Sequence, residues 1–177
     1  MQKFNIPSKD EVSRVNQNLF DALKGKLGMV PNLYATMAYS DTGLENYLKL
    51  QQGKTSFSNK EKEAINLLVS QVNGCNYCLS AHTMLGKMNG FNDKEILELR
   101  RGYASFNDKL NSLVRLAKEI AETKGNPTES SLESFFNSGY SKGSLVDLVI
   151  AIADKVVMNY LHNITDVPID FPMAPEL

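Results

Sequence analysis

No stretch of this sequence approaches the roughly 18 consecutive apolar residues that a membrane-spanning helix needs. The first residues, Met1 to Asp10, also lack the apolar core of a secretory signal. A cytoplasmic protein with no membrane partner is the resulting expectation. An excess of one charge is missing too: 19 Lys and Arg stand against 20 Asp and Glu. Nucleic acid is therefore not an expected partner, because phosphate binding needs a surplus of basic residues on one surface. The adjacent Arg100 and Arg101 read as a solvated helix end. Cysteine is scarce, with only two residues. In a reducing compartment such a pair points to catalysis or metal binding rather than to a structural staple.

What the chain does have is apolar content and helix punctuation. Its 177 residues are 42% hydrophobic, enough to bury a core without disulfides or structural metal. That length predicts one domain spanning 1–177, or two closely packed helical halves. Strand signals are nearly absent, so the expected class is all-α. Ser8 to Glu11 has a capping-box pattern, followed by Val12, Val15, Leu19 and Leu23 at helical spacing until Gly25 and Gly28. Pro31 suits the first turn of a helix through Met37, and another is expected over Leu44 to Leu50. These make an N-terminal group of helices, 1–55.

A second capping box, Ser58 to Glu61, opens a helix through Val72 that Asn73-Gly74 should end. The next is predicted from about Cys75 to Met88, and Asn92 to Glu95 opens a short one, completing a central group, 56–104. In the remainder, 105–177, Leu110 to Ile120 and Leu145 to Leu161 are the two expected helices. The proline-rich tail from Val167 should be extended. A shift of 49 positions takes Phe57, Leu67, Gly90 and Leu99 to Phe106, Leu116, Gly139 and Leu148, a faint repeat consistent with two related halves.

The chemistry concentrates between Glu63 and His82. Cys75-Asn76-Tyr77-Cys78 is a C-x-x-C at a predicted helix start, and His82 follows four residues later. Positions three, four and seven apart share a helix face, so Cys75, Cys78 and His82 should align. Free amides at a helix N-terminus favour a thiolate, and an imidazole one turn on can take the thiol proton. If the helices flanking Asn73-Gly74 fold back as a hairpin, Glu63 lies level with His82 and can orient it. The helical wheel by itself does not choose between Glu63 and Glu61, although Glu61 already has a capping role.

Glu63 together with Val69 to His82 resembles the alkylhydroperoxidase D-like branch of the carboxymuconolactone decarboxylase family. The shared pattern is a glutamate twelve residues before a C-x-x-C and a histidine four after it. Gly28 to Tyr34 and Asn159 to Pro172 are similar to its longer members, so the likeness covers most of the chain. The resemblance implies an all-α fold, homo-oligomers of three or six chains, and thiol-dependent reduction of hydroperoxides. It further implies that Cys78 attacks and becomes a sulfenic acid, that Cys75 resolves it as a disulfide, and that Glu63 with His82 relays the proton. An external dithiol, lipoyl or thioredoxin-like, would restore both thiols, and no metal, haem or flavin is required. Tyr77 stands where the best-known members have a histidine. The lactone decarboxylases of the family lack the cysteine pair, so decarboxylation is not expected.

Other readings compete. Free cysteines are often inert core residues, and C-x-x-C with a histidine can hold zinc, though a fourth ligand is hard to find. A redox sensor or a disulfide-exchange protein would use the same pair without peroxide turnover. His162 lies in a polar stretch and reads as a surface or interface residue. Met84 and Met88 read as core or subunit contacts, and Tyr77 as either a packing residue or part of the site entrance.

Overall fold

The computed structural model describes residues 4–177, and every regular element among them is helical. The Ser8–Glu11 box does form, with Glu11 accepting from the Ser8 amide at 2.8 Å, but it closes only a 3-10 turn over Lys9–Glu11. Val12 then turns extended and buries its side chain, so the first helix, α1 (Arg14–Leu27), starts later than the spacing suggests and is capped by Ser13. Gly25 is carried inside α1, which ends at Gly28 in the left-handed conformation, φ 81°. Two short helices follow, α2 (Asn32–Met37) and α3 (Gly43–Gln51).

The central group is α4 (Asn59–Val72), α5 (Asn76–Met88) and α6 (Asp93–Arg101). Ser58 and Asn92 cap α4 and α6, and Glu61 and Glu95 complete their boxes. Beyond these lie α7 (Asp108–Thr123), α8 (Glu129–Asn137) and the long α9 (Lys142–Thr165). The α8 helix was not expected from the sequence. Its apolar set is only Leu132, Phe135 and Phe136, too short a run to show a period, and packing decides it. Phe135 is fully buried and stacks on Tyr140, with ring centroids 4.5 Å apart.

Helix α4 is the axis of the molecule, packed by α5, α6, α7 and α9. Ala64, Ile65, Leu67, Leu68 and Val69 have no exposed surface, so it is enclosed on nearly all sides. The 49-residue shift reappears in the element starts: Asn59 and Asp108 open α4 and α7, Asp93 and Lys142 open α6 and α9. A smaller core in the N-terminal group joins Phe20, Leu23, Ala35, Leu44 and Leu48. Between the two, Leu33, Tyr47, Met158 and Val167 enclose Cys75, Tyr77 and Cys78. The cysteines thus sit on a seam between the N-terminal helices, the central group and the tail.

The tail is extended, as expected, and tightly pinned. Asp170 accepts from the Asn32 amide at 2.7 Å, capping α2, which has no side-chain cap of its own. The Ala174 amide donates to Ser80, and Pro175 accepts from Arg100 at 2.7 Å. Arg100 also donates to Gln71 and is buried, so of the two arginines only Arg101 is the solvated residue foreseen. Among the described residues no helix is long and apolar enough to cross a membrane.

Candidate active site

The α4–α5 hairpin builds the site. Gly74, at φ 64°, turns the chain after Asn73, a conformation that strains a side-chain-bearing residue. The next residue, Cys75, becomes the N-cap of α5: its amide donates to Ser70 O at 2.9 Å, and its sulfur accepts from the Cys78 amide at 3.3 Å. Helix α9 fixes the turn from outside. The Asn159 side chain donates to Ser70 at 3.2 Å and accepts from Asn73 at 2.9 Å, while Asn163 donates to the Asn73 carbonyl.

Both cysteines are reduced and buried, but not equally placed. Cys75 has no exposed surface, whereas Cys78 opens onto a cavity of about 940 Å³. The cavity walls are largely apolar, with Leu27, Leu50, Met84, Leu85, Met88 and Ile150 among them, and Lys26, Lys54 and Lys62 near its rim. Met84 and Met88 therefore line a cavity, and Met88 is exposed rather than part of the core.

The electrostatics of the pair are asymmetric. A hydrogen bond from Cys78 pulls the Cys75 thiol below its usual range; burial opposes this, and His162 and the Cys78 amide reinforce it. Cys78 is pushed up by sharing its proton with Cys75, by burial and by the charge on Cys75, against which Lys155 and Asn159 act. The pair thus gives up one proton readily and holds the second. Access favours Cys78 as the sulfur that meets a substrate, and charge favours Cys75 as the sulfur that ionises first.

Glu63 and His82 do meet across the hairpin. His82 Nδ1 is 2.7 Å from Glu63 Oε2, and Asn66 donates to the other carboxylate oxygen at 3.3 Å. Glu61 faces elsewhere, accepting from Ser58 and from Tyr140 at 2.7 Å. Burial works to raise the Glu63 carboxyl, but the neighbouring His82 and Lys155 outweigh it and hold it below the ordinary value.

Three residues outside the expected set of Glu63, Cys75, Cys78 and His82 complete the site. Lys155, 2% exposed, places its ammonium 3.2 Å from His82 Nε2 and 3.3 Å from Asp154. Burial disfavours that charge most strongly, but Asp154, Tyr34, Cys78 and Glu63 together outweigh it, and the lysine is held above its usual value. His162 is buried, not at a surface: its Nε2 donates to Val167 O at 3.1 Å and its ring lies 5.1 Å from that of Tyr77. Burial works against its protonation, and the Cys75 sulfur beside it raises it above the ordinary histidine value. Asn159 is the third, through the turn it clamps. Lys155 sits in an apolar helical run as Ala153-Asp154-Lys155-Val156, and a lysine interrupting such a run was the available signal. Tyr77 is buried, its hydroxyl accepting from the Leu33 amide at 3.2 Å, with its ring on the cavity wall against Phe171.

Among the described residues, no three His, Cys, Asp or Glu side chains gather in a way that would hold a metal ion. The arrangement offers a thiol pair with one loosely held proton at the floor of an apolar cavity, backed by a buried carboxylate, imidazole and ammonium.

Residues 42–119 match the carboxymuconolactone decarboxylase family. No curated protein matches the sequence. The structure is similar to that of an uncharacterized peroxidase-related protein from Silicibacter sp. TM1040, at 22% identity and a TM-score of 0.81, over 93% of this chain and 90% of that one. It is also similar to an alkylhydroperoxidase AhpD core protein, likewise peroxidase-related, from Ralstonia eutropha JMP134. There the identity is 16% and the TM-score 0.85, over 95% and 92% of the two chains. A third similar structure is the debrominase Bmp8, at 18% identity, a TM-score of 0.73 and 90% of each chain. At these identities the likeness speaks to fold.

Proposed function

We propose that this chain, whose residues 42–119 match the carboxymuconolactone decarboxylase family and whose fold is similar to that of an alkylhydroperoxidase AhpD core protein, is a thiol peroxidase reducing organic hydroperoxides. The observation that carries this reading is Cys78 at the floor of an apolar cavity with Cys75 in contact behind it. Cys78 attacks the terminal peroxide oxygen and becomes a sulfenic acid, and the alcohol leaves. Cys75 then condenses with it to a disulfide, releasing water, and an external dithiol restores the pair by exchange. The family resemblance assigns support of the proton transfers to Glu63 and His82.

Burial of both sulfurs favours a slender reductant, such as a small dithiol or a lipoyl arm, over a globular protein disulfide that cannot reach the cavity floor. The same burial weighs against direct exchange with folded proteins, the principal alternative. The likeness to a debrominase, also similar in its complex with 2,3,4-tribromopyrrole, makes an aromatic halide a second substrate class, favoured by the same apolar cavity. A homo-oligomer is part of the proposal, supported by an exposed apolar stripe along α9 formed by Val146, Val149, Val157, Tyr160 and Ile164.

The test is consumption of cumene hydroperoxide by the purified protein with excess dithiothreitol. Cys78→Ser is expected to abolish turnover. Cys75→Ser is expected to stop after one equivalent, with a sulfenic acid on Cys78 that a dimedone probe captures. Full turnover by Cys78→Ser overturns the reading.

A further inference from the structure

His82 has no ring nitrogen left for a thiol. Nδ1 is engaged by Glu63 at 2.7 Å and Nε2 by the Lys155 ammonium at 3.2 Å. An ammonium only donates, so Nε2 accepts, and the imidazole proton sits on Nδ1 facing the carboxylate. The expectation that the imidazole takes the thiol proton directly needs a nitrogen free to face the sulfur. Lys155 occupies that nitrogen instead, and Lys155 itself lines the cavity with Cys78.

Several groups from different helices hold the Lys155 ammonium. Glu63 on α4 fixes the tautomer of His82 on α5, and Asp154 on α9 supplies the counter-charge at 3.3 Å. From the N-terminal helices, Tyr34 and Tyr47 close the same side, tied to each other through Gln51 at 2.8 and 3.1 Å. A lysine is rarely this buried without a task, because removing an ammonium from water is costly.

We propose that Lys155 is the general acid of this site, giving its proton to the oxygen that leaves when Cys78 attacks a hydroperoxide. The assignment rests on the peroxidase reading above. The sulfur pair enters the step with one proton, Cys78 S–H against a Cys75 thiolate. The Cys78 sulfur forms a bond to the terminal oxygen, the O–O bond breaks, and the Cys78 proton passes to Cys75. The departing alkoxide takes a proton from Lys155 and leaves as alcohol. Cys75 S–H and the Cys78 sulfenic acid then form the disulfide and water. Reduction by a dithiol regenerates one thiol and one thiolate and releases one proton, which restores Lys155. In this scheme His82 and Glu63 are positioning residues that aim the ammonium.

The test compares two oxidants on pre-reduced protein in single turnover, followed by loss of free thiol. Cumene hydroperoxide expels a basic alkoxide that needs a proton, whereas peracetic acid expels acetate, which does not. Lys155→Met is expected to slow cumene hydroperoxide by roughly 100-fold or more, the usual contribution of a general acid, with little change for peracetic acid. The double variant Asp154→Asn with Lys155→Met avoids a stranded buried carboxylate and should show the same split. Lys155→Arg keeps the charge but parts with its proton poorly, and should recover the cumene hydroperoxide rate only in part. Equal loss with both oxidants in the single and double variants, or an unchanged cumene hydroperoxide rate, overturns the assignment. A wild type that oxidises with neither reagent overturns the peroxidase reading itself.

Discussion

Glu63 is a carboxylate in a place where burial alone would make it neutral, and its neighbours decide otherwise. With its side chain only 12% exposed, it keeps its charge because His82 and Lys155 face it. A carboxyl held below its unfolded value binds fewer protons in the folded state, so stability rises with pH and is lost as pH falls through that range. The contribution is fully present above the ordinary glutamate value of 4.5 and is lost progressively as pH falls from there through the lower folded value. Denaturant unfolding at pH 6 and pH 4 should therefore show a larger loss for the wild type than for Glu63→Gln. An identical loss in both would mean that the Glu63–His82 contact does not survive in solution.

The α4–α5 hairpin depends on an element distant in sequence. Its turn leaves Asn73 and Ser70 with polar side chains facing α9, and Asn159, fully buried, satisfies both. Asn159→Ala removes two hydrogen bonds and strands buried partners, at a cost of about 1–3 kcal/mol. Chemical denaturation measures that cost, and a value near zero would show that the clamp is replaced by water. The hairpin itself was legible in the sequence, since Asn73-Gly74 is a turn signal between two helical patterns. Counting residues back from the turn put Glu63 level with His82 along the axis, but did not separate it from Glu61. The clamp was not legible, because nothing local to Asn159 indicates which of its neighbours lacks a partner.

At the scale of the molecule, α9 presents an inner face to the site and an outer one to solvent. Ser144, Leu148, Ile152, Lys155, Asn159 and His162 point inward. Val146, Val149, Ala153, Val157, Tyr160 and Ile164 alternate three and four positions apart on the outside. Such a stripe is apolar surface that a second copy of the same helix can bury. Sedimentation is expected to give a species several times the 19.7 kDa chain mass. Val149→Glu combined with Val157→Glu should shift it towards the monomer, and a wild-type monomer would sink this part of the proposal.

The amino-acid sequence by itself determined the all-helical class, most helix boundaries and the grouping of Cys75, Cys78 and His82. Those depend on spacing within one or two turns, where backbone geometry leaves little freedom. It missed α8, which owes its existence to the packing of Phe135 against Tyr140. Only the tertiary structure decided that Glu63 rather than Glu61 faces His82, that His162 is buried behind Cys75, and that Lys155 occupies the second imidazole nitrogen. Each of these is a pairing of buried polar groups across distant segments. Which partners meet is set by how the helices pack and by the cost of leaving a buried charge alone.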